Sequence, residues 1–198
     1  MRSIHSFVVE PLGGRYNNTK KIGDKELIIN TEIYNHQFVN RRATILSCPI
    51  VGDDLGLVPG GTVIVHHNVF RRWHDVKGKE RNSRSYFDEN TYIVNADQIF
   101  LHKQLIGEWK APKGFSFIKP IKSIDKYSID KEKELMGIIK YSDGFHNVGD
   151  VVGVRPNSKY EFIIDNERLY RVMNSFITIK YEYKGNEEEY NPSWANSS

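Results

Sequence analysis

The apolar residues of this chain occur in short runs that are rich in β-branched and aromatic side chains. Glycine, asparagine, aspartate or proline bounds most of these runs, as at residues 62–65, 91–94 and 176–179. Runs of this length between turn residues are typical of β-strands. Helical periodicity is confined to brief stretches such as 130–135, which are too short to build a helical layer. The pattern therefore predicts an all-β protein.

The order of the predicted strands repeats once along the chain, which indicates two related domains. Each half has an opening strand that ends at a proline, a polar segment, a second strand, a glycine turn before a third strand, and a closing segment. These parts lie at residues 7–12, 43–46, 58–65 and 92–100 in the first half, and at residues 115–121, 135–139, 148–154 and 169–179 in the second.

Two glycine turns give the repeat a physical basis. Gly60 and Gly149 precede apolar strands, at points where a tight turn needs positive φ. Short strands at this spacing favour a closed or nearly closed barrel. We predict two small β-barrels at residues 1–103 and 112–183, a linker at 104–111, and a polar tail at 184–198 that is an extension or partly disordered.

Taken in this order, the motifs resemble the GroES co-chaperonin family over about residues 5–183. The similarity is closest in the second half, at residues 148–152, 163–172 and 174–177. The first half matches at Pro11-Leu12, at 58–64 and at 95–99. The resemblance implies tandem GroES-like barrels and a protein that caps a chaperonin ring to assist protein folding.

Members of that family reach the chaperonin with a loop whose apolar tripeptide enters a groove on the chaperonin surface. The resemblance places this loop where a polar run at residues 15–26 leads into Leu27, Ile28 and Ile29. The alternative is that residues 26–33 form one more core strand, because this sequence has good β-propensity. One such loop binds weakly, so the co-chaperonin hypothesis also predicts a homo-oligomer that engages several loops at once.

Departures from the family pattern leave a second function open. The family's roof hairpin is reduced to residues 51–56 and 142–144, as in co-chaperonins encoded by large tailed phages. The second loop, at 123–134, has no aliphatic tripeptide, and the duplication complicates a simple ring. The alternative is a phage virion or assembly protein that uses the barrels as an interaction scaffold. The predicted partner is thus a chaperonin ring or virion subunits, in the host cytoplasm or in the virion.

A segment of the first half, at residues 70–87, combines basic and aromatic side chains and makes that half longer than the second. We predict a solvated hairpin there, with Trp73 and Phe87 packed against the barrel. The alternative is a docking surface for nucleic acid or for a neighbouring acidic subunit. The candidate docking residues are Arg71, Arg72, Trp73, Lys77, Lys79, Arg81 and Arg84.

Composition narrows the classes of partner. The 28 lysines and arginines nearly balance 25 aspartates and glutamates, so the net charge of +3 indicates neither a nucleic-acid partner nor a membrane surface. No apolar run reaches the roughly 20 residues of a membrane helix, and the first residues lack the apolar core of a signal peptide. We therefore expect a cytoplasmic protein.

Candidate chemistry is sparse in this sequence. Cys48 is the only cysteine and lies among apolar residues, which indicates a buried side chain and not a nucleophile. His66, His67, His74 and Asp75 are close in sequence, but neighbours on a strand face opposite sides, so we expect structural histidines and no metal. Motifs for a nucleophile, a phosphate loop or paired carboxylates are absent, so we predict no enzyme activity and no cofactor.

Overall fold

The computed structural model describes residues 3–16, 19–22, 24–28, 39–52, 55–124, 131–182, 185 and 187–197. For residues 19–22, 26, 28, 196 and 197 it describes the backbone alone. Strands and short 3-10 turns form the described secondary structure, so the predicted all-β class is confirmed. None of the described helical turns has the length and apolar character needed to cross a membrane.

The chain forms two compact units, Met1–Trp109 and Lys110–Ser198, and the division between them lies inside the segment predicted as the linker. The first unit contains a five-stranded antiparallel sheet in the order β8-β1-β4-β5-β9 and two separate hairpins, β2-β3 and β6-β7. Its strands are β1 (Phe7–Pro11), β2 (Thr19–Ile22), β3 (Lys25–Ile28), β4 (Arg42–Ser47), β5 (Thr62–Val65), β6 (Arg72–His74), β7 (Glu80–Asn82), β8 (Tyr92–Val94) and β9 (Ile99–Lys103).

The second unit contains a six-stranded antiparallel sheet in the order β13-β14-β10-β11-β12-β15. Its strands are β10 (Phe115–Lys119), β11 (Met136–Ser142), β12 (Val151–Val154), β13 (Tyr160–Ile164), β14 (Glu167–Met173) and β15 (Ile177–Tyr181). If β13 is left aside, the order of its strands is that of the first unit, strand for strand. The repeat in the sequence is therefore a repeat of topology.

The two sheets also share their irregularities. A bulge interrupts the first strand between Val8 and Val9 in one unit and between Phe117 and Ile118 in the other. A second bulge follows Ile64 in β5 and Gly153 in β12. Since bulges bend a strand and re-aim its side chains, their matched positions give both sheets the same local curvature.

The glycine turns before β5 and β12 are built alike, as the sequence predicted. Gly60 has a φ of +88° and Gly149 a φ of +91°, values that glycine adopts without steric cost. The Gly60 N–H donates to the Ile45 carbonyl oxygen at 2.7 Å, and the Gly149 N–H donates to that of Ile139 at 2.8 Å. Each turn thereby fastens the start of one strand to the middle of its neighbour.

The described sheets are not closed barrels, so this part of the prediction is wrong. A closed barrel would require hydrogen bonds between β8 and β9 in the first unit and between β14 and β15 in the second. In neither sheet are these two strands neighbours. The outer edge of β8 is occupied by the segment before it, because Tyr86 bridges Tyr92 and the Ile93 N–H donates to the Ser85 carbonyl at 2.7 Å. The outer edge of β14 is occupied by β13. The edge that closure needs is therefore already paired in both units.

Alternate residues of the strands build the core of each unit, as period-two alternation requires. In the first unit, these positions include Phe7 and Val9, Ala43 and Ile45, Val63 and Val65, and Tyr92 and Val94. In the second unit, they are Ile118, Ile139, Val152, Val154, Tyr170 and Val172.

The polar tail packs on the second unit over its described part. The Lys122 N–H donates to the Glu188 carbonyl at 2.8 Å, and the Tyr190 N–H donates to the Pro120 carbonyl at 2.9 Å. The Lys119 ammonium lies 2.6 Å from a Glu189 carboxylate oxygen. Burial lowers the pKa of Lys119, but hydrogen bonds to acidic partners outweigh it and leave the pKa raised. Residues 188–190 of the tail therefore contact residues 119–122 of the second unit.

Gly137 on β11 offers a test of how closely the second sheet is packed. A Cβ at this position would lie 2.8 Å from Ile118 Cδ1 and 2.8 Å from the Lys119 carbonyl oxygen. We expect Gly137→Ala to lower the free energy of unfolding by about 2 kcal/mol or more, because backbone cannot yield as a side chain does. In Gly14→Ala, the control, the nearest atom is 3.6 Å away. Urea unfolding should show a change below about 0.5 kcal/mol for this control, and equal losses in both variants would contradict the packing.

Candidate docking site

Two of the predicted anchor residues, Leu27 and Ile28, lie on the β2–β3 hairpin, outside the five-stranded sheet. Strand β3 pairs with β2 in a register that places Leu27 opposite Lys20 and Ile28 opposite Thr19. Leu27 is 52% exposed. The side chain of Ile28, and Ile29 as a whole, lie outside the described residues. The alternative prediction of a core strand at 26–33 is wrong for its described part, because β3 belongs to no larger sheet there and Leu27 is not buried.

A buried asparagine joins the two ends of the segment that carries this hairpin. Asn40 is 2% exposed, and its side-chain amide donates to the carbonyl oxygens of Leu12 at 2.9 Å and Gly14 at 2.8 Å. Its own N–H donates to the Arg15 carbonyl at 2.9 Å, next to a bridge between Tyr16 and Val39. Residues 12–16 and 39–40 are thus held together at the base of the hairpin. No sequence motif singled out Asn40.

The same base is tied to the basic segment at residues 70–87. The Arg15 guanidinium donates to the Phe70 carbonyl oxygen at 3.2 Å and to the Asn82 side-chain oxygen at 2.9 Å. The Tyr16 hydroxyl oxygen accepts the Arg72 N–H at 2.8 Å. Arg15 and Tyr16, at the base of the β2–β3 hairpin, therefore position the β6–β7 hairpin.

Arg15 lies beside a pair of tyrosine rings, with its guanidinium carbon 5.5 Å from the ring centres of both Tyr86 and Tyr92. Burial lowers the pKa of Arg15, but a guanidinium stays charged at neutral pH. Burial likewise raises the pKa of Tyr92 to about 12, although the nearby Arg15 acts in the opposite direction. The Tyr92 hydroxyl is buried and finds no hydrogen-bond partner among the residues that the structure describes.

The structure divides the predicted docking residues between two environments. Arg72 faces the unit, with its guanidinium 5.2 Å from the Tyr16 ring centre and 3.2 Å from Glu80. Arg71 is half-buried, whereas Trp73, Lys77, Lys79, Arg81 and Arg84 are exposed. Arg81 lies 2.9 Å from Asp75. Trp73 is 37% exposed and Phe87 is 52% exposed, and their packing against the sheet stays a prediction.

The histidines do not take the strand positions that the sequence suggested. His66 and His67 follow the end of β5, and their rings stack with centres 4.2 Å apart. Across the described part of the chain, histidine, cysteine and acidic residues form no group of three that could hold a metal ion. The Cys48 thiol is partly buried and lies 3.0 Å from the Leu57 carbonyl oxygen.

Comparisons with protein-family models, with curated proteins and with solved structures found no match.

Arg15 is the residue on which the placement of the basic hairpin depends. We expect Arg15→Ala to lower the free energy of unfolding of the first unit by about 1.5–3 kcal/mol, because it removes charge-assisted hydrogen bonds and leaves their acceptors without a donor. Arg84→Ala is the matched control, since Arg84 is exposed. Chemical unfolding should give a change below about 0.5 kcal/mol for the control. A similarly small change for Arg15→Ala would contradict the anchoring role.

The Tyr92 hydroxyl predicts a loss of stability in alkali. The ordinary pKa of tyrosine is 10.0 and that of Tyr92 in the fold is about 12, so over this interval the unfolded chain releases a proton that the fold retains. Rising pH therefore favours unfolding in that window. We expect urea midpoints to fall less between pH 10 and 12 in Tyr92→Phe than in the wild type. Parallel curves for the two proteins would argue against burial of this hydroxyl.

Proposed function

We propose that this protein docks on a chaperonin ring through the β2–β3 hairpin, with Leu27, Ile28 and Ile29 as the apolar anchor. The observation that carries the proposal is the exposure of Leu27 on a hairpin outside the main sheet. An aliphatic side chain that contributes nothing to a core is typical of a contact residue when it lies on a dedicated element. The motifs that resemble co-chaperonins support the identity of the partner.

The hairpin has the properties that a docking element needs. Its base is fixed by Asn40, while an isolated hairpin of two four-residue strands is marginally stable in water. A partner that supplies a groove for Leu27 would add the missing apolar contact.

The corresponding segment of the second unit is held against its own sheet in its described part. The Lys133 N–H donates to the Ile121 carbonyl at 2.7 Å. Glu132 accepts a hydrogen bond from the Tyr170 hydroxyl at 2.7 Å and lies 3.2 Å from Arg168. We infer that each chain offers a single docking hairpin. Several chains must then act together to reach useful affinity.

The second candidate function is a scaffold in a virion or an assembly intermediate. The observation that favours it is the outer edge strand β13, on which Tyr160 and Ile163 are partly exposed. Edge strands with apolar side chains readily pair with other chains. This function needs no exposed anchor at Leu27, so the two candidates respond differently to substitution there.

The test is co-migration with a chaperonin on size exclusion, with and without ATP. We expect ATP-dependent co-migration of the wild type and its loss in Leu27→Asp, with stability changed by less than about 0.5 kcal/mol because the side chain is exposed. Leu46→Asp is the control, since Leu46 is 43% exposed but lies on β4 of the main sheet. This variant should still co-migrate.

Two results would count against the docking proposal. Equal binding by Leu27→Asp and the wild type would remove the anchor, and a loss of several kcal/mol in stability would show that Leu27 is packed in a core. Failure of the wild type to co-migrate at high concentration would favour the scaffold.

A further inference from the structure

The positive charge of this protein is concentrated in one hairpin. Residues 71–84 contain six lysines and arginines and two acidic residues, which gives a net charge of +4, whereas the whole chain carries +3. The rest of the chain is thus close to neutral, with a net charge of −1. The small net charge of the whole chain therefore hides a strongly basic segment at residues 71–84.

This basic hairpin is an addition to the repeated fold. In the first unit, residues 66–91 connect β5 to β8, and the last part of this connection covers the edge of β8 through Ser85 and Tyr86. In the second unit, β13 performs the same task within residues 155–166, and no second hairpin accompanies it there. The second sheet forms without such an element, so the fold does not require β6 and β7.

The two faces of the hairpin have different surroundings. Residues directly opposite each other share a face, so Arg72 pairs with Asn82 on one face and Trp73 pairs with Arg81 on the other. The first pair contacts the unit through Tyr16 and Arg15. The second pair is exposed, and Lys79, which directly precedes β7, is exposed as well. The contacts of the inner face therefore leave Trp73, which is 37% exposed, on the outer face opposite Arg81.

The one acidic group near this outer face is already engaged. Asp75 accepts hydrogen bonds from the N–H groups of Lys77 at 2.9 Å and Lys79 at 3.0 Å, and its other oxygen accepts one from Arg81 at 3.0 Å. The backbone hydrogen bond from Lys79 is the main cause of its lowered pKa. Asp75 therefore shapes the turn, and the side chains of Lys77 and Lys79 are exposed in the same hairpin as Trp73.

We propose that the outer face of the β6–β7 hairpin binds single-stranded nucleic acid. Lys77, Lys79 and Arg84 would contact phosphates, and a base would stack on Trp73. Charge alone would suit any polyanion, including an acidic protein. The exposed indole favours nucleic acid, because an exposed aromatic ring between cations supplies the stacking platform that unpaired bases use and that carboxylates do not need.

The experiment measures the fluorescence anisotropy of a labelled oligothymidylate at low and at raised salt. We expect binding by the full chain that weakens with salt, a loss of at least about tenfold in affinity for Lys77→Glu with Lys79→Glu, and a loss of at least about fivefold for Trp73→Ala. Trp73→Leu, which keeps an apolar side chain, should lose affinity like Trp73→Ala. Thermal unfolding of each variant shows that the hairpin's unit remains folded.

Matched controls come from the second unit. Lys110→Glu with Lys113→Glu changes the net charge by the same amount at two other exposed lysines. Trp194→Ala removes another exposed tryptophan that lies beside an arginine, 5.4 Å from the Arg168 guanidinium. Both controls should bind as the wild type does.

Several results would overturn the proposal. Absence of binding by the wild type would do so, and so would equal losses in the two lysine pairs, which would indicate attraction by total charge. Unchanged affinity in both Trp73 variants, or displacement of the oligonucleotide by polyglutamate at similar charge concentration, would assign the hairpin to an acidic protein partner instead.

Discussion

The architecture depends on how each sheet satisfies one edge. The outer backbone groups of strands β8 and β14 need partners. In the first unit, Ser85 and Tyr86 supply them, and in the second unit β13 does. This pairing keeps both sheets open. It also fixes where the connection between β5 and β8 must end. Any extra residues in this connection must therefore form an additional element, and the basic hairpin is that element.

The repeat has diverged in ways that follow from packing. By the position of the bulges, Leu12 corresponds to Ile121, and Ala43 corresponds to Gly137. Leu12 is half-exposed, whereas Ile121 is completely buried where the tail pairs with it. The second unit has therefore used its tail to cover a position that remains open in the first. The tail thus adds contacts to the second unit, whereas the first unit carries the β2–β3 and β6–β7 hairpins.

Much of the fold could be predicted from the sequence because it is encoded locally. Alternating apolar residues specify strands, and glycines at Gly60 and Gly149 specify the turns. The open sheets could not be predicted, because no sequence motif shows that Ser85 and Tyr86 pair with the outer edge of β8, or β13 with that of β14. The orientation of Trp73 was also hidden, since it follows from contacts that Arg15 and Tyr16 make with residues more than 50 positions away. The exposure of Leu27 needed the structure for a related reason, because its sequence suits a core strand equally well.

The two proposed sites have a common physical basis, which the overall composition of the chain does not reveal. Full burial of a leucine side chain contributes about 1.5–3 kcal/mol, which one hairpin cannot convert into tight binding after the entropy of association is subtracted. A near-neutral chain likewise attracts polyanions weakly unless its cations are gathered on one element. Each site compensates for a weak single contact. The first combines several copies of the hairpin in an oligomer. The second places six cations within 14 residues. Because Arg15 and Tyr16 lie at the base of the first hairpin and also hold the second, a partner that displaces the chain at this base would disturb the outer face around Trp73 as well.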